Sequence, residues 1–203
     1  MSSRGRRLGL VVAGVLALTA CSGEPEPAPD PTATTPAGLE LPDGVELTAP
    51  GTTLEVGEAA TVVLELGDGA QSATTVEVEK VREGSIKDFR YFSLDEQSRT
   101  ATPFYVDVAV TNEGPAGLGG ISVPLLAHSD ANTVYPASEL VGTFDPCESG
   151  PLPKTFLAGE SASQCFIFLL PEGEDLQTLD LQPGAAADAV HWERPEPDPE
   201  PTD

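Results

Sequence analysis

Phe104-Tyr105-Val106-Asp107-Val108-Ala109-Val110-Thr111, closed by Asn112-Glu113-Gly114-Pro115, is the stretch on which the fold turns. Phe104, Val106, Val108 and Val110 alternate with Tyr105, Asp107, Ala109 and Thr111, a period of two that sends successive side chains to opposite faces of a strand. Aromatic and β-branched residues favour the extended backbone, and Asn, Gly and Pro then stop the run. The pattern recurs on both sides. Upstream, Val62, Val63, Leu64 and Leu66 form an apolar run that ends at Gly67-Asp68-Gly69. Val76, Val78 and Val81 alternate with Glu77 and Glu79, and the one-residue slip near Lys80 predicts a bulge. Downstream, residues 165–170 are apolar up to Pro171, and shorter runs follow at 179–181 and 190–192. Helical periodicity is almost absent. Seven or eight short strands separated by Gly, Pro, Asp and Asn turns predict an antiparallel β-sandwich. Ile86, Phe89, Phe92 and Leu94 break the pattern; their spacing fits one helical turn, or a folded loop capping an end of the sandwich.

All of these runs lie within residues 52–193, which also hold all eleven aromatic residues of the 203-residue chain. That span is long enough to bury a core of its own. The flanks are different in kind. Residues 1–20 carry Arg4, Arg6 and Arg7 ahead of an apolar run that ends at Ala20. The run is too short to cross about 30 Å of hydrocarbon, and a basic stretch before a short apolar one is the pattern of an export signal. Leu18-Thr19-Ala20-Cys21 resembles a bacterial lipobox. That resemblance implies a diacylglyceryl group on the Cys21 thiol, and cleavage that leaves Cys21 as an N-acylated terminus. Arg6-Arg7 hints at twin-arginine export, but Gly5 and Gly9 flank it, so the general secretory route is expected.

Residues 22–51 read as a disordered tether, with seven prolines, six acids, no base and no aromatic residue. Residues 194–203 read as a disordered acidic tail, in which proline and acid alternate from Pro195 to Pro201.

Thirty-three acids against ten bases give a net charge of −23. Nucleic acid is excluded as a partner, because phosphate binding requires clustered cations. The acidity belongs mainly to the folded span, so the expected membrane contact is through lipid and not through charge. Between 100 and 193 there are thirteen acids and one base. Five of the six bases of residues 52–193 are Lys80, Arg82, Lys87, Arg90 and Arg99. Aromatic residues lie among them. Lys87, Phe89, Arg90, Tyr91 and Phe92 are therefore the candidate contact surface for an unknown protein or envelope partner.

With Cys21 lipidated, Cys147 and Cys165 are an even pair in an oxidising compartment, and a disulfide between them is expected. Its loop is of a size that contributes about 3 kcal/mol in the chain-entropy model.

Several short pieces together resemble an actinobacterial-type secreted lipoprotein with a DUF4352-like, immunoglobulin-like domain. They are Val56-Gly57-Glu58, the strand ending Asn112-Glu113-Gly114, and the polar turn from Ser129 to Tyr135-Pro136. Gly159-Glu160-Ser161 leading through Cys165 to Pro171-Glu172-Gly173, and a closing Trp192, complete them. The resemblance covers roughly 54–192. It implies an immunoglobulin-like sandwich and carries little about function.

No Gly-x-Ser-x-Gly elbow is present. His128 and His191 are the two imidazoles. A structural or edge role is expected for His191, and for His128 a surface position beside the turn acid Asp130, a pairing of the two being the alternative. Asp130-x-Asn132 opens a calcium-loop pattern that Val134 and Tyr135 break, and Glu172-Gly173-Glu174-Asp175 reads as a solvated turn. No catalytic residue, metal ligand or cofactor is assigned beyond the lipid on Cys21. The expected function is a non-catalytic binding or scaffolding module, lipid-anchored at the outer face of the plasma membrane of a Gram-positive, actinobacterial-type cell. The alternatives are a small-ligand or cation-binding lipoprotein and, third, an envelope hydrolase.

Overall fold

The alternating stretch forms the longest strand of the molecule, Thr102–Pro115. In the computed structural model, which describes residues 33–66, 69–185 and 188–195, it is the fourth of nine strands. These are β1 (Thr53–Leu54), β2 (Ala59–Glu65), β3 (Gln71–Glu83), β4 (Thr102–Pro115), β5 (Leu125–Ser129), β6 (Val134–Pro136), β7 (Ser161–Leu170), β8 (Leu176–Leu181) and β9 (Val190–Glu193). Two 3-10 turns, Ile86–Phe89 and Ser98–Thr100, lie between β3 and β4. The export signal, the lipobox with Cys21, and the last eight residues lie outside the described residues.

The strands form two sheets, one ordered β1-β9-β8-β5-β6 and the other β2-β3-β4-β7. Every pairing is antiparallel except β1 with β9. The domain is an all-β sandwich, as the alternation predicts. The expected bulge is present as a register shift between Val78 and Lys80. The nine strands exceed the seven or eight expected because β1 and β6, of two and three residues, are too short to show a period.

The main core lies between the sheets. Phe104, Val106, Val108 and Val110 of β4 meet Phe166, Phe168 and Leu170 of β7 on one side, and Leu125, Leu179, Leu181 and Val190 on the other. Trp192 is fully buried among them, and its indole N–H donates to the Glu58 carbonyl at 2.9 Å. At one end of the sandwich Asn112 has no exposed surface. Its Oδ1 accepts from the Ser72 hydroxyl (2.7 Å) and the Gly114 N–H (2.9 Å). Its Nδ2 donates to the carbonyls of Ala116 (2.8 Å) and Phe156 (3.2 Å). A buried amide with its capacity this fully used fixes the crossing of two loops. Gly119 follows, so close to the Lys154 backbone carbonyl that no Cβ fits there.

A second cluster covers the outer face of the four-stranded sheet. Tyr105, Cys165 and Ile167 point out from β4 and β7 and pack against Phe89, Phe144 and Cys147. Where this cluster lies, both faces of the two strands are covered, which is why the outward-pointing Tyr105 is buried (3% exposed). The segment around Ile86 therefore does not cap an end of the sandwich; its 3-10 turn lies on a sheet face.

Both expected domain limits move outward. Leu39, placed in the tether by composition, is buried. The Thr48 N–H donates to Thr61 at 2.8 Å, and the Gly51 N–H to Ala189 at 2.8 Å. Arg194, assigned to the tail, has a side chain only 14% exposed; it pairs with Asp175 and Glu83 and lies 4.8 Å over the Phe104 ring. Proline density hides these anchors, because each rests on a single residue that finds its partner only after folding.

Candidate functional site

The loop between β3 and β4 is shaped by local hydrogen bonds. The Ser85 side chain accepts from the Lys87 N–H, and the Asp88 carboxylate accepts from the Ser85 N–H, a capping box for the 3-10 turn. The same carboxylate accepts from the Tyr105 hydroxyl at 3.0 Å. Burial first, then this bond and the charge of Asp88, push the Tyr105 phenol above its ordinary range. Phe89 stacks on Phe144 with ring centres 4.6 Å apart, and Phe92 meets both rings edge-on.

This arrangement divides the five residues nominated as a contact surface. Phe89 is 2% exposed and belongs to the second cluster, which corrects its assignment to the surface. Phe92 is half-buried against that cluster. Lys87, Arg90 and Tyr91 remain outside. Tyr91 is 83% exposed, with the Arg90 guanidinium 4.6 Å from its ring centre. Val141, on the loop that delivers Phe144, is 98% exposed. Sequence spacing could not separate Phe89 from Tyr91, because a 3-10 turn over a sheet face buries one and turns the other out. Of the neighbouring cations, Arg82 makes a two-bond pair with Asp107 (2.9 and 3.1 Å), and Arg99 donates to the Leu94 carbonyl.

The Cys147–Cys165 disulfide is formed, with Cα atoms 5.4 Å apart. It ties the long β6–β7 connection to β7. Beside it, a groove of about 520 Å³ runs between residues 137–140, residues 149–151 and the edge of β7 at Cys165, Phe166 and Ile167. Val123 and Leu125 form its floor, and Glu139 is its charged lining residue. On the other side of the same edge lies an open hollow of about 490 Å³. Glu79, Asp107, Asp145 and Glu148 line it, with Ser163 and Cys165 at its margin.

The two histidines, unrelated in sequence, meet at one carboxylate. Asp180 on β8 is 7% exposed. Its Oδ1 lies 2.8 Å from His191 Nδ1 on β9 and its Oδ2 lies 3.4 Å from His128 Nδ1 on β5. Asp130, the turn acid near His128 in sequence, accepts from the Asp175 N–H (3.0 Å) and gives its own N–H to the Asp175 carbonyl. Glu174, expected in a solvated turn, accepts from the Ser129 hydroxyl (2.6 Å) and the Tyr135 hydroxyl (2.8 Å). Strand register, which the sequence does not reveal, selects these partners. Among the described residues no group of three or more His, Cys, Asp or Glu side chains is arranged to hold a metal ion. Among the same residues no helix is long and apolar enough to cross a membrane.

No family model, curated protein or solved structure matches this chain.

Proposed function

We propose that the chain is an exported lipoprotein, held through a lipid on Cys21 at the outer face of the plasma membrane of a Gram-positive, actinobacterial-type cell. Its immunoglobulin-like, DUF4352-like sandwich is a non-catalytic binding or scaffolding module for a protein or envelope component. The anchor rests on Leu18-Thr19-Ala20-Cys21 behind a basic, apolar leader. Two acyl chains on one residue make a stable attachment, since each buried CH₂ contributes about 0.8 kcal/mol. The acidic body stays off an anionic surface within a Debye length of about 8 Å.

The observation that carries the binding role is the exposed Tyr91, backed by Arg90 and seated on an aromatic cluster that fixes its loop. Tyr and Arg on a rigid base dominate interface energetics, because they bury large area with little ordering cost. Two experiments test the reading. Cys21→Ala should move the protein from membrane to medium, and retention on the membrane would refute the anchor. In-cell crosslinking of the anchored protein should capture a partner that the variant Tyr91→Ala with Arg90→Glu no longer captures. Unchanged capture by that folded variant would refute the surface.

A further inference from the structure

We propose that the face carrying Tyr91 pairs with the same face of a second copy of this chain. The assignment rests on the reading of Tyr91 as a contact residue, and it names the partner. Two unpaired charge sets of opposite sign lie on that one face.

The basic set belongs to the loop between β3 and β4, whose own hydrogen bonds engage its acids and leave its cations out. Asp88 accepts from the Ser85 N–H (3.2 Å) and the Tyr105 hydroxyl (3.0 Å), and Asp95 accepts from the Ser98 N–H (2.8 Å). Lys87 and Arg90 are exposed. Among the described residues neither has a carboxylate within ion-pair distance, although the chain holds 33 acids and ten bases. Cations left unpaired amid such an excess of acid suit the acids of another molecule.

The acidic set is the open hollow of about 490 Å³ beside the disulfide. Arg82 offsets Asp107 there. Glu79, Asp145 and Glu148 are exposed, and among the described residues none of them has a cation within ion-pair distance.

The second aromatic cluster sets these two regions side by side. Phe89, two residues before Tyr91, stacks on Phe144, and Asp145 follows Phe144 directly. Tyr105 packs against both rings and stands two positions from Asp107, on the same face of β4. A two-fold axis through this face brings each basic loop opposite the other copy's acidic hollow, so every contact is made twice. Tyr91, 83% exposed, and Val141, 98% exposed, supply the apolar surface that such a pairing covers. The aromatic stack and the disulfide hold both loops, which lowers the cost of ordering them on association. Both bodies are acidic overall, but their mutual repulsion is screened beyond about 8 Å at physiological salt. Contact then falls where opposite charges meet.

The test is sedimentation equilibrium of the purified full chain at about 0.15 M salt. A monomer–dimer equilibrium is expected, with a dissociation constant on the order of 1–100 µM. Lys87→Glu with Arg90→Glu should raise that constant at least about tenfold, and so should Asp145→Lys with Glu148→Lys. All four positions are exposed, so both variants should keep the fold, which circular dichroism checks. Mixed together, the two variants should dimerise with each other about as tightly as the natural chain, because each reversed set then meets its opposite. Net charge alone gives no such recovery, since both variants remain acidic. A chain that stays monomeric, a dimer indifferent to either double substitution, or a mixture without recovery would overturn the assignment. So would in-cell crosslinking that captures a different protein and loses it in Tyr91→Ala with Arg90→Glu. That last result would leave the contact surface standing and give it to another partner, so the two readings fail separately.

Discussion

Asp180 stands directly opposite His191 in the β8–β9 ladder, and its Oδ1 lies 2.8 Å from His191 Nδ1. A carboxylate only accepts, so the ring turns a protonated nitrogen toward it. The Thr178 hydroxyl donates to the same oxygen at 2.7 Å, and His128 approaches the other at 3.4 Å. One nearly buried acid therefore joins β5, β8 and β9 across the face of the five-stranded sheet. Asp180→Ala strands these donors and should destabilise the domain by about 1–3 kcal/mol. His128→Ala, at the longer contact, should cost less. Urea unfolding checks both through the midpoint at constant slope; equal losses for the two variants would contradict the hub.

The Cys147–Cys165 bridge spans 18 residues of sequence and holds the β6–β7 connection over the second cluster. Replacing both cysteines by alanine should lower stability by about 3 kcal/mol in the chain-entropy model. Because Phe144 lies three residues before Cys147, its stacking on Phe89 should loosen as well. The near-ultraviolet circular dichroism of the aromatic cluster should weaken while the β signal persists. An unchanged aromatic signal would mean that the cluster holds without the bridge.

The sandwich was legible in the sequence because its strands keep a strict period of two against a single shared core. Phe104, Val106, Val108 and Val110 all point where that period puts them. The bulge near Lys80 was legible for the same reason, as a break in an otherwise regular alternation. The disulfide followed from counting cysteines. What the sequence concealed depends on distant partners. Tyr105 occupies an outward position that reads as solvent-facing, until Phe89 and Phe144 arrive from two loops. Asp180 is one of thirteen acids between 100 and 193, and only the register of β8 against β9 singles it out. Likewise, the groove and the acidic hollow are spaces between loops, and no local pattern encodes them.

Phe89 and Tyr91 are two residues apart and should respond oppositely to truncation. Phe89 is 2% exposed, in contact with the three aromatic rings of Phe92, Tyr105 and Phe144. Phe89→Ala leaves a cavity under the loop and should cost about 3–5 kcal/mol. Tyr91→Ala removes a side chain already in water and should change stability by less than about 0.5 kcal/mol. Thermal unfolding of the pair measures the contrast, and similar losses would place Tyr91 in the cluster after all.

The Tyr105 phenol sets an alkaline limit on the fold. Burial, then the hydrogen bond to Asp88 and the charge of that carboxylate, hold its proton more tightly in the folded chain than in the unfolded one. The unfolded phenol ionises near pH ~10. A raised folded value means that the contribution is whole below that pH. It is lost progressively as pH rises past it toward the folded value. Tyr135 is shifted in the same direction by burial and by its bond to Glu174, and it adds to the slope. Urea midpoints taken from about pH 8 to about pH 11 should therefore fall above pH ~10 in the natural chain. Tyr105→Phe should lower the midpoint at neutral pH, by the loss of a hydrogen bond worth about 1 kcal/mol. It should also flatten the alkaline decline, and Tyr105→Phe with Tyr135→Phe should flatten it further. A decline of the same steepness in all three proteins would assign the alkaline limit to other groups.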